Sequence, residues 1–301
     1  MRDSVNRKMM KDKSKGRWIL LVVYLIAFGL GFWVSTVSNY PVLLKSAVAV
    51  GVAVIIVFMG SIDFNNSSVF DPYWSVAPPL MVLYYLAMVV SEQSLAFPRI
   101  GIVLFLTLAY SVRLTWNFLR GWPGLKHEDW RYVDFRKKSG KGYWLVSFFG
   151  IHFFPALMVF GGTLSLWVVV VQDVRPLNLL DAWAVVVTGG AILLEAMSDR
   201  QLRKFVLLNK EAGKTMNKGL WSLSRHPNYL GEILFWWGLY FFALASNPLY
   251  WWVILGPAAI TLMFLFASIP MIEKRMRSRR TDYREYVQKV PMLIPWKIFK
   301  K

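Results

Sequence analysis

The chain has 301 residues, 56% of them hydrophobic, and a mean hydropathy of +0.43, more apolar side chain than one water-soluble core can bury. With no cysteine and only three histidines, it excludes disulfides, thiolate metal sites and cysteine nucleophiles, and no metal centre is expected. The net charge of +18 would point to nucleic acid in a soluble protein, but its placement along the chain argues against that partner.

A basic start (1–17) leads into an apolar run at 18–37. That run is too long for a signal peptide and lacks a small-residue cleavage site, so a retained anchor is expected. Crossing a hydrocarbon core takes roughly 20 apolar residues, and comparable runs follow at 42–60, 76–90, 100–116, 144–171, 180–197, 229–246 and 251–269. The expected fold is all-α, a polytopic transmembrane helix bundle of about eight spans. Its expected organisation is a basic N-terminus (1–17), N-terminal transmembrane helices (18–98), a membrane domain (99–296) and a basic tail (297–301).

Of 35 Lys and Arg, seven lie in 1–17, seven in 119–142, seven in 199–225 and ten after residue 269. An even number of spans puts all four segments on one side, which the positive-inside rule makes cytoplasmic, with both termini. Lys45, Arg99 and Arg175 would lie near the opposite face. The loop 61–75 belongs to the cytoplasmic side yet has no Lys or Arg, which leaves a six- or seven-span reading open there. Trp18, Tyr40, Trp116, Trp122, Trp144, Trp236, Trp237, Trp251 and Trp252 fall near span ends, as an interfacial aromatic belt requires.

Within this frame a few polar residues stand out. Tyr110 and Arg113, three apart in one span, share a helix face, where the cation would ease negative charge on the phenol. The alternative is a core aromatic beside a snorkelling arginine. Asp71, in Asp71-Pro72-Tyr73-Trp74, is either a helix cap before proline or a site carboxyl. His152 and Pro155 lie inside the fifth span, where the histidine reads as a packed, hydrogen-bonded residue or a kink partner, the alternative being a functional intramembrane group. Glu128, Asp129, Arg131 and Arg136 crowd the loop before it, either closing over a cofactor or simply solvated.

Glu195, Asp199 and Arg203 recur every four residues on one helix face, which an ordinary ion-pair ladder explains equally well. In the segment 217–232, Pro227 suits a first helical turn. Free N–H groups there, with Arg225 and His226 beside them, would suit an anion. Asn228 and Glu232 lie one turn apart and face into the membrane, where a carboxylate is costly unless engaged.

Ser-Arg-His-Pro-Asn-Tyr-Leu-Gly-Glu at 224–232, Gly-Leu-Trp before it and Ser-Asp-Arg-Gln-Leu-Arg-Lys at 198–204 resemble the steroid 5α-reductase C-terminal family, and within it the DUF1295 branch. The likeness runs over roughly 100–296 and includes Ile-Glu-Lys-Arg at 272–275 and Ile-Pro-Trp at 294–296. It implies a membrane reductase that takes NADPH from the cytosol and reduces a carbon–carbon double bond conjugated to a carbonyl in a lipophilic, steroid-like substrate entering from the bilayer.

Carried over residue by residue, the cofactor contacts would be Glu195, Asp199, Arg203, Lys214, Arg225, His226, Asn228, Tyr229 and Glu232. Arg203, Lys214 and Arg225 would hold phosphates, and Glu195 replaces an asparagine of the family. Tyr110 would be the catalytic tyrosine, with Asp71, or failing that Glu92, as its carboxyl partner. The rival is an S-adenosylmethionine-dependent methyltransferase of the isoprenylcysteine or phospholipid type. Those enzymes share Arg-His-Pro-x-Tyr-x-Gly at 225–231 but carry Glu-Glu where this chain has Glu273-Lys274.

Overall fold

The computed structural model describes residues 2–90, 97–209 and 213–295. Glu92, Trp296 and the tail 297–301 lie outside them. Helices α1 (Arg2–Thr36), α2 (Val42–Asp63), α3 (Tyr73–Val89), α4 (Phe97–Gly121), α5 (Trp130–Ser139), α6 (Tyr143–Ser147), α7 (Phe154–Val171), α8 (Leu179–Leu208), α9 (Pro227–Ser246), α10 (Leu255–Met263), α11 (Ile269–Arg279) and α12 (Tyr283–Lys289) follow in chain order, with no strand among the described residues.

Among the described residues seven helical segments are long and apolar enough to cross a membrane, so the protein is an integral, multi-pass helical bundle. The sequence suggests about eight spans, and α3 accounts for the difference. At 17 residues it reaches only about 25 Å at 1.5 Å per residue. Even so it joins the two ends of the bundle. Tyr73 stacks on Phe70 at one end, while at the other the hydroxyls of Tyr84 and Tyr85 donate to Ser35 (3.0 Å) and Ser46 (3.2 Å). Buried Pro78, Pro79, Met81 and Tyr85 pack against neighbouring helices, so this helix does not need the full lipid-facing length.

The same region explains the uncharged loop. Ser67–Phe70 forms a buried 3-10 turn beneath the segment that follows α4. Asn66 donates to the carbonyls of Leu125 and His127, Ser67 N–H donates to Glu128, and Asp129 N–H donates to Ser68 Oγ. A loop roofed by another segment has no water in which to place a lysine. Lys13 and Arg17 of α1 donate to the carbonyls of Arg120 and Leu119, which brings the first basic segment to the same end of the bundle as the second.

At the opposite end Arg99 is buried rather than surface-lying. Its guanidinium donates to both carboxyl oxygens of Asp181 (2.8 Å each), to Asp173 (2.6 Å) and to the carbonyls of Arg175 and Pro176. Asp181 also closes a capping box with Asn178 at the start of α8, satisfying helix-end donors.

Helix α9 lies close against α8. A Cβ at Gly231 would come within 2.9 Å of the Ala191 carbonyl, and Gly256 of α10 packs directly on the Gly161 backbone of α7. Small residues permit such approach in a bundle that lipid cannot drive together. The expected span 144–171 is interrupted by a π-helical turn, Phe148–Phe153. There His152 meets Ser61 Oγ (2.9 Å) and the Ser147 carbonyl (2.9 Å), a packed, hydrogen-bonded histidine.

Candidate functional site

At the basic end the helices leave a cavity of about 600 Å³. Its wall takes Asp71, Trp74 and Ser75 from the start of α3, Arg113 and Phe118 from α4, and Trp130, Arg131, Tyr132 and Phe135 from α5. Gly150, Ile151 and Phe154 come from the π turn and α7, Glu195 and Asp199 from α8, Asn228, Tyr229 and Glu232 from α9, and Phe264, Ala267, Ser268, Met271 and Ile272 from the final span. Phe154, on the wall, is 47% exposed on the outer surface.

Glu232 sits one and a half turns into α9, where a bare carboxylate would be costly. Three donors converge on its Oε1: Tyr110 Oη (2.6 Å), Trp74 Nε1 (2.6 Å) and Trp236 Nε1 (2.9 Å). Trp236 follows Glu232 by one helical turn, so α9 supplies both acid and donor. Tyr110 is fully buried, stacked on Phe235 with ring centres 3.8 Å apart, and stands behind Glu232, off the cavity wall.

A second knot surrounds Arg113. Its guanidinium contacts Glu195 and reaches Asp199 Oδ2 at 3.1 Å, where Asn117 also donates (3.0 Å) and Asn228 hydrogen-bonds. The four-residue ladder from Glu195 to Asp199 thus faces inward. At the mouth Asp71 accepts from Tyr132 Oη (2.6 Å). Burial pushes the Asp71 carboxyl up to about 6, only partly opposed by Arg131 and by Tyr132. The carboxyl that Tyr110 engages is therefore Glu232, and Asp71 is engaged elsewhere.

Of the nine expected cofactor contacts, Glu195, Asp199, Asn228, Tyr229 and Glu232 line the cavity. Arg203, Lys214, Arg225 and His226 do not. Arg225 donates to Glu273 (2.8 Å) and to the carbonyls of Val287 and Val290, and His226 meets Glu273 at 3.1 Å, so both fasten the C-terminal helices to the start of α9. Lys214 opens on a separate surface groove. Asp129 and Arg131 do reach the cavity, whereas Glu128 and Arg136 pair with each other (3.0 Å).

Sequence reasoning passes over Trp74, Asn117, Tyr132 and Trp236. Three of them carry a positional signal: Asn117 and Trp236 lie one turn after Arg113 and Glu232, and Trp74 lies one turn after Asp71. Charged side chains on the wall comprise five carboxylates, Asp71, Asp129, Glu195, Asp199 and Glu232, against two guanidiniums, Arg113 and Arg131. An acid-rich, aromatic-walled cavity favours a cationic guest.

A family model described as a protein of unknown function, DUF1295, matches residues 57–290, so the match begins well before the resemblance noted at about residue 100 and takes in Asp71 and Trp74. The chain is 28% identical over 257 residues to an uncharacterized protein of Schizosaccharomyces pombe, covering 78% of this chain and 74% of that one. It is 35% identical over 94 residues to methanethiol S-methyltransferase 1 of Bradyrhizobium diazoefficiens, covering 30% of each. No solved structure matches significantly.

Proposed function

We propose that this chain, which belongs to the DUF1295 family, is a membrane methyltransferase that uses S-adenosylmethionine to methylate a lipophilic acceptor reaching the cavity from the bilayer. The observation that carries this reading is the surplus of carboxylates over guanidiniums on an aromatic wall, joined to a relative whose name is that of a methyltransferase. S-adenosylmethionine supplies an electrophilic methyl group on a sulfonium and carries a net positive charge.

Glu232, fixed by three neutral donors and paired with no cation among the described residues, offers an oriented acceptor, and Trp74, Tyr229 and Phe264 offer ring faces to a cation. Arg113 offsets part of the charge of Glu195 and Asp199, and any carboxylate accepting from an ammonium would do so beside it. Phe154, Met263, Ala267 and Met271 make an apolar flank for the acceptor. The positive-inside distribution favours a cytoplasmic basic end and cytoplasmic termini, so the cofactor would enter from the cytosol.

A second reading, an NADPH-dependent reductase of a lipophilic enone, is favoured by the presence of both Asn228 and Glu232 on the wall, the two positions that the resemblance assigns to the nicotinamide end. Against it, the three cations expected to hold its phosphates do not line the cavity. Titrating purified protein with S-adenosylmethionine, S-adenosylhomocysteine and NADPH, followed by Trp fluorescence and thermal stability, separates the two. The methyltransferase reading expects saturable shifts with the first two ligands. A shift with NADPH alone overturns it.

A further inference from the structure

The span that leads into α7 leaves α-geometry at the π turn Phe148–Phe153. A π turn holds more residues than an α turn, and such turns recur at functional sites. Here it gives Gly150 and Ile151 to the cavity wall, and Phe154 and Pro155 follow directly. A second π turn, Phe264–Ser268, gives the same wall Phe264, Ala267 and Ser268. Gly150, Phe154 and Ala267 are also exposed on the outer surface, among exposed Phe149, Phe153 and Phe266. In a bilayer such surroundings are lipid, whose tails are as apolar as these side chains, so the two turns border the acceptor's side of the cavity.

His152 belongs to the first turn but stands off that wall. It is fully buried between Phe58 and Phe70, with ring centres 5.1 and 4.9 Å away, and Phe70 is itself a wall residue. Its Nδ1 lies 2.9 Å from the Ser147 carbonyl, and its Nε2 lies 2.9 Å from Ser61 Oγ. A carbonyl can only accept, so Nδ1 bears the proton and Nε2 takes the Ser61 hydroxyl. Ser147 also begins a chain of hydroxyls. Its Oγ lies 2.9 Å from Ser67 Oγ, which lies 2.6 Å from Tyr143 Oη, and Tyr143 donates to Glu128 (3.1 Å), the partner of Arg136. One proton per hydroxyl fixes the direction: Ser147 donates to Ser67, Ser67 to Tyr143, and Tyr143 to the carboxylate. The turn is thus held from α2, through Ser61, and from the segment that roofs the bundle, through Glu128.

We propose that His152 is a positioning residue for the lipophilic acceptor: by holding the π turn it keeps Gly150 and Ile151 on the cavity wall. Without the bond to the Ser147 carbonyl the turn tightens to α-geometry, which rotates the residues before it by about 100° relative to α7. Gly150 and Ile151 then leave the wall, while Glu195 and Asp199 of α8 and Asn228 and Glu232 of α9 stay. His152 therefore governs the acceptor's side of the cavity and not the cofactor's. This rests on the reading that a lipophilic acceptor uses the cavity, with either cofactor.

The chain has no cysteine, so single reporters can be placed in the full-length protein in detergent. A Cβ at Gly150 meets nothing within 4 Å, which makes Gly150→Cys a tolerated reporter. Leu157→Cys, on the exposed face of α7 and off the wall, is the lipid-side reference. A sulfonated maleimide in water should label Gly150→Cys through the cavity and leave Leu157→Cys covered by detergent. Adding His152→Leu should bring labelling of Gly150→Cys down to the Leu157→Cys rate. His152→Asn, whose amide still donates to the Ser147 carbonyl, should restore it. Ser67→Ala cuts the hydroxyl chain without touching the ring and should give an intermediate rate, and it decides the matter if melting curves show that His152→Leu does not fold. Unchanged labelling in the folded variant, with or without a lower melting temperature, overturns the proposal, as does a His152→Asn protein that labels like His152→Leu. With labelled S-adenosylmethionine and a membrane lipid extract as the acceptor pool, the extract needed for half-maximal transfer should rise about tenfold in His152→Leu at an unchanged maximal rate. If the wild type transfers no methyl group, the proposed function fails, and the labelling still decides what His152 holds.

Discussion

Tyr110 donates a hydrogen bond from its hydroxyl to Oε1 of Glu232 across 2.6 Å, and Tyr110 itself lies off the cavity wall. With Trp74 and Trp236 donating to the same oxygen, Glu232 is held by neutral groups, and among the described residues no cation pairs with it. A carboxylate so arranged keeps its charge available to a guest.

Replacing Glu232 therefore separates shape from charge. Glu232→Gln keeps an oxygen that can accept from the three donors, and its melting temperature should stay near that of the wild type while S-adenosylmethionine affinity falls tenfold or more. Glu232→Ala strands buried donors, each costing about 1–3 kcal/mol, and should unfold at a clearly lower temperature. Parallel thermal melts and ligand titrations check both outcomes. Unchanged affinity in Glu232→Gln would remove this residue from the site.

Tyr110→Phe keeps the stacking on Phe235 and deletes one hydrogen bond to a charged acceptor, worth about 1.5–3 kcal/mol. Two other donors remain on Glu232, so methyl transfer measured with a labelled cofactor should fall by no more than about tenfold. Under the reductase reading the same variant loses its carbonyl donor, and reduction should fall by several orders of magnitude. The size of the loss thus discriminates between the two chemistries.

Asp71 offers a pH test outside the spans. Its carboxyl is raised from the ordinary 3.8 to about 6, so the folded protein binds this proton more tightly than the unfolded chain does. The resulting stability is fully present below about pH 4 and is lost as pH rises through 6, by up to about 3 kcal/mol. Asp71→Asn should remove that slope and melt above the wild type at pH 7.5, while the two converge as pH falls below about 4. Melting curves in detergent across this range provide the measurement, and parallel curves would show that Asp71 ionises normally.

Membrane placement and the clustering of basic segments were legible because hydrophobic run length and Lys/Arg position follow directly from the cost of burying charge in lipid. The inward face of Glu195, Asp199, Asn228 and Glu232 was legible from four-residue spacing. Partnership was not. That Tyr110 engages Glu232, 122 positions away, while Asp71 engages Tyr132, depends on how separate helices cross, and no local pattern encodes it. Arg225 looked like an anion ligand from the motif alone, but its real partners, Glu273 and the Val287 and Val290 carbonyls, come from the far end of the chain.

Arg225→Ala should accordingly act on the C-terminal helices. It leaves buried Glu273 short of a cation, a loss of about 3–5 kcal/mol when one partner of a buried pair is removed, and strands two carbonyls. Hydrogen exchange over α12 and the residues after it should accelerate at least tenfold, with α4 and the far end of α8 unaffected. Exchange that rises uniformly instead would mean that Arg225 supports the whole bundle.

The close approach of α9 to α8 gives the last test, and two glycines of the same helix pair set its scale. Around Gly190, on α8, a Cβ meets nothing within 4 Å, so Gly190→Ala should be neutral or gain up to about 1 kcal/mol from helix propensity. At Gly231 the same methyl would meet the Ala191 carbonyl at 2.9 Å and the Glu195 N–H nitrogen at 3.2 Å, besides the Glu195 side chain. The α8 backbone cannot rotate away, so Gly231→Ala must part α9 from α8. Overpacking of this kind costs about 1–3 kcal/mol, more than propensity returns. The displaced residue is Glu195, whose contact with Arg113 braces the cavity, so Gly231→Ala should lower the melting temperature and weaken S-adenosylmethionine binding together. Lower stability with intact binding would place the carboxylate ladder outside the site.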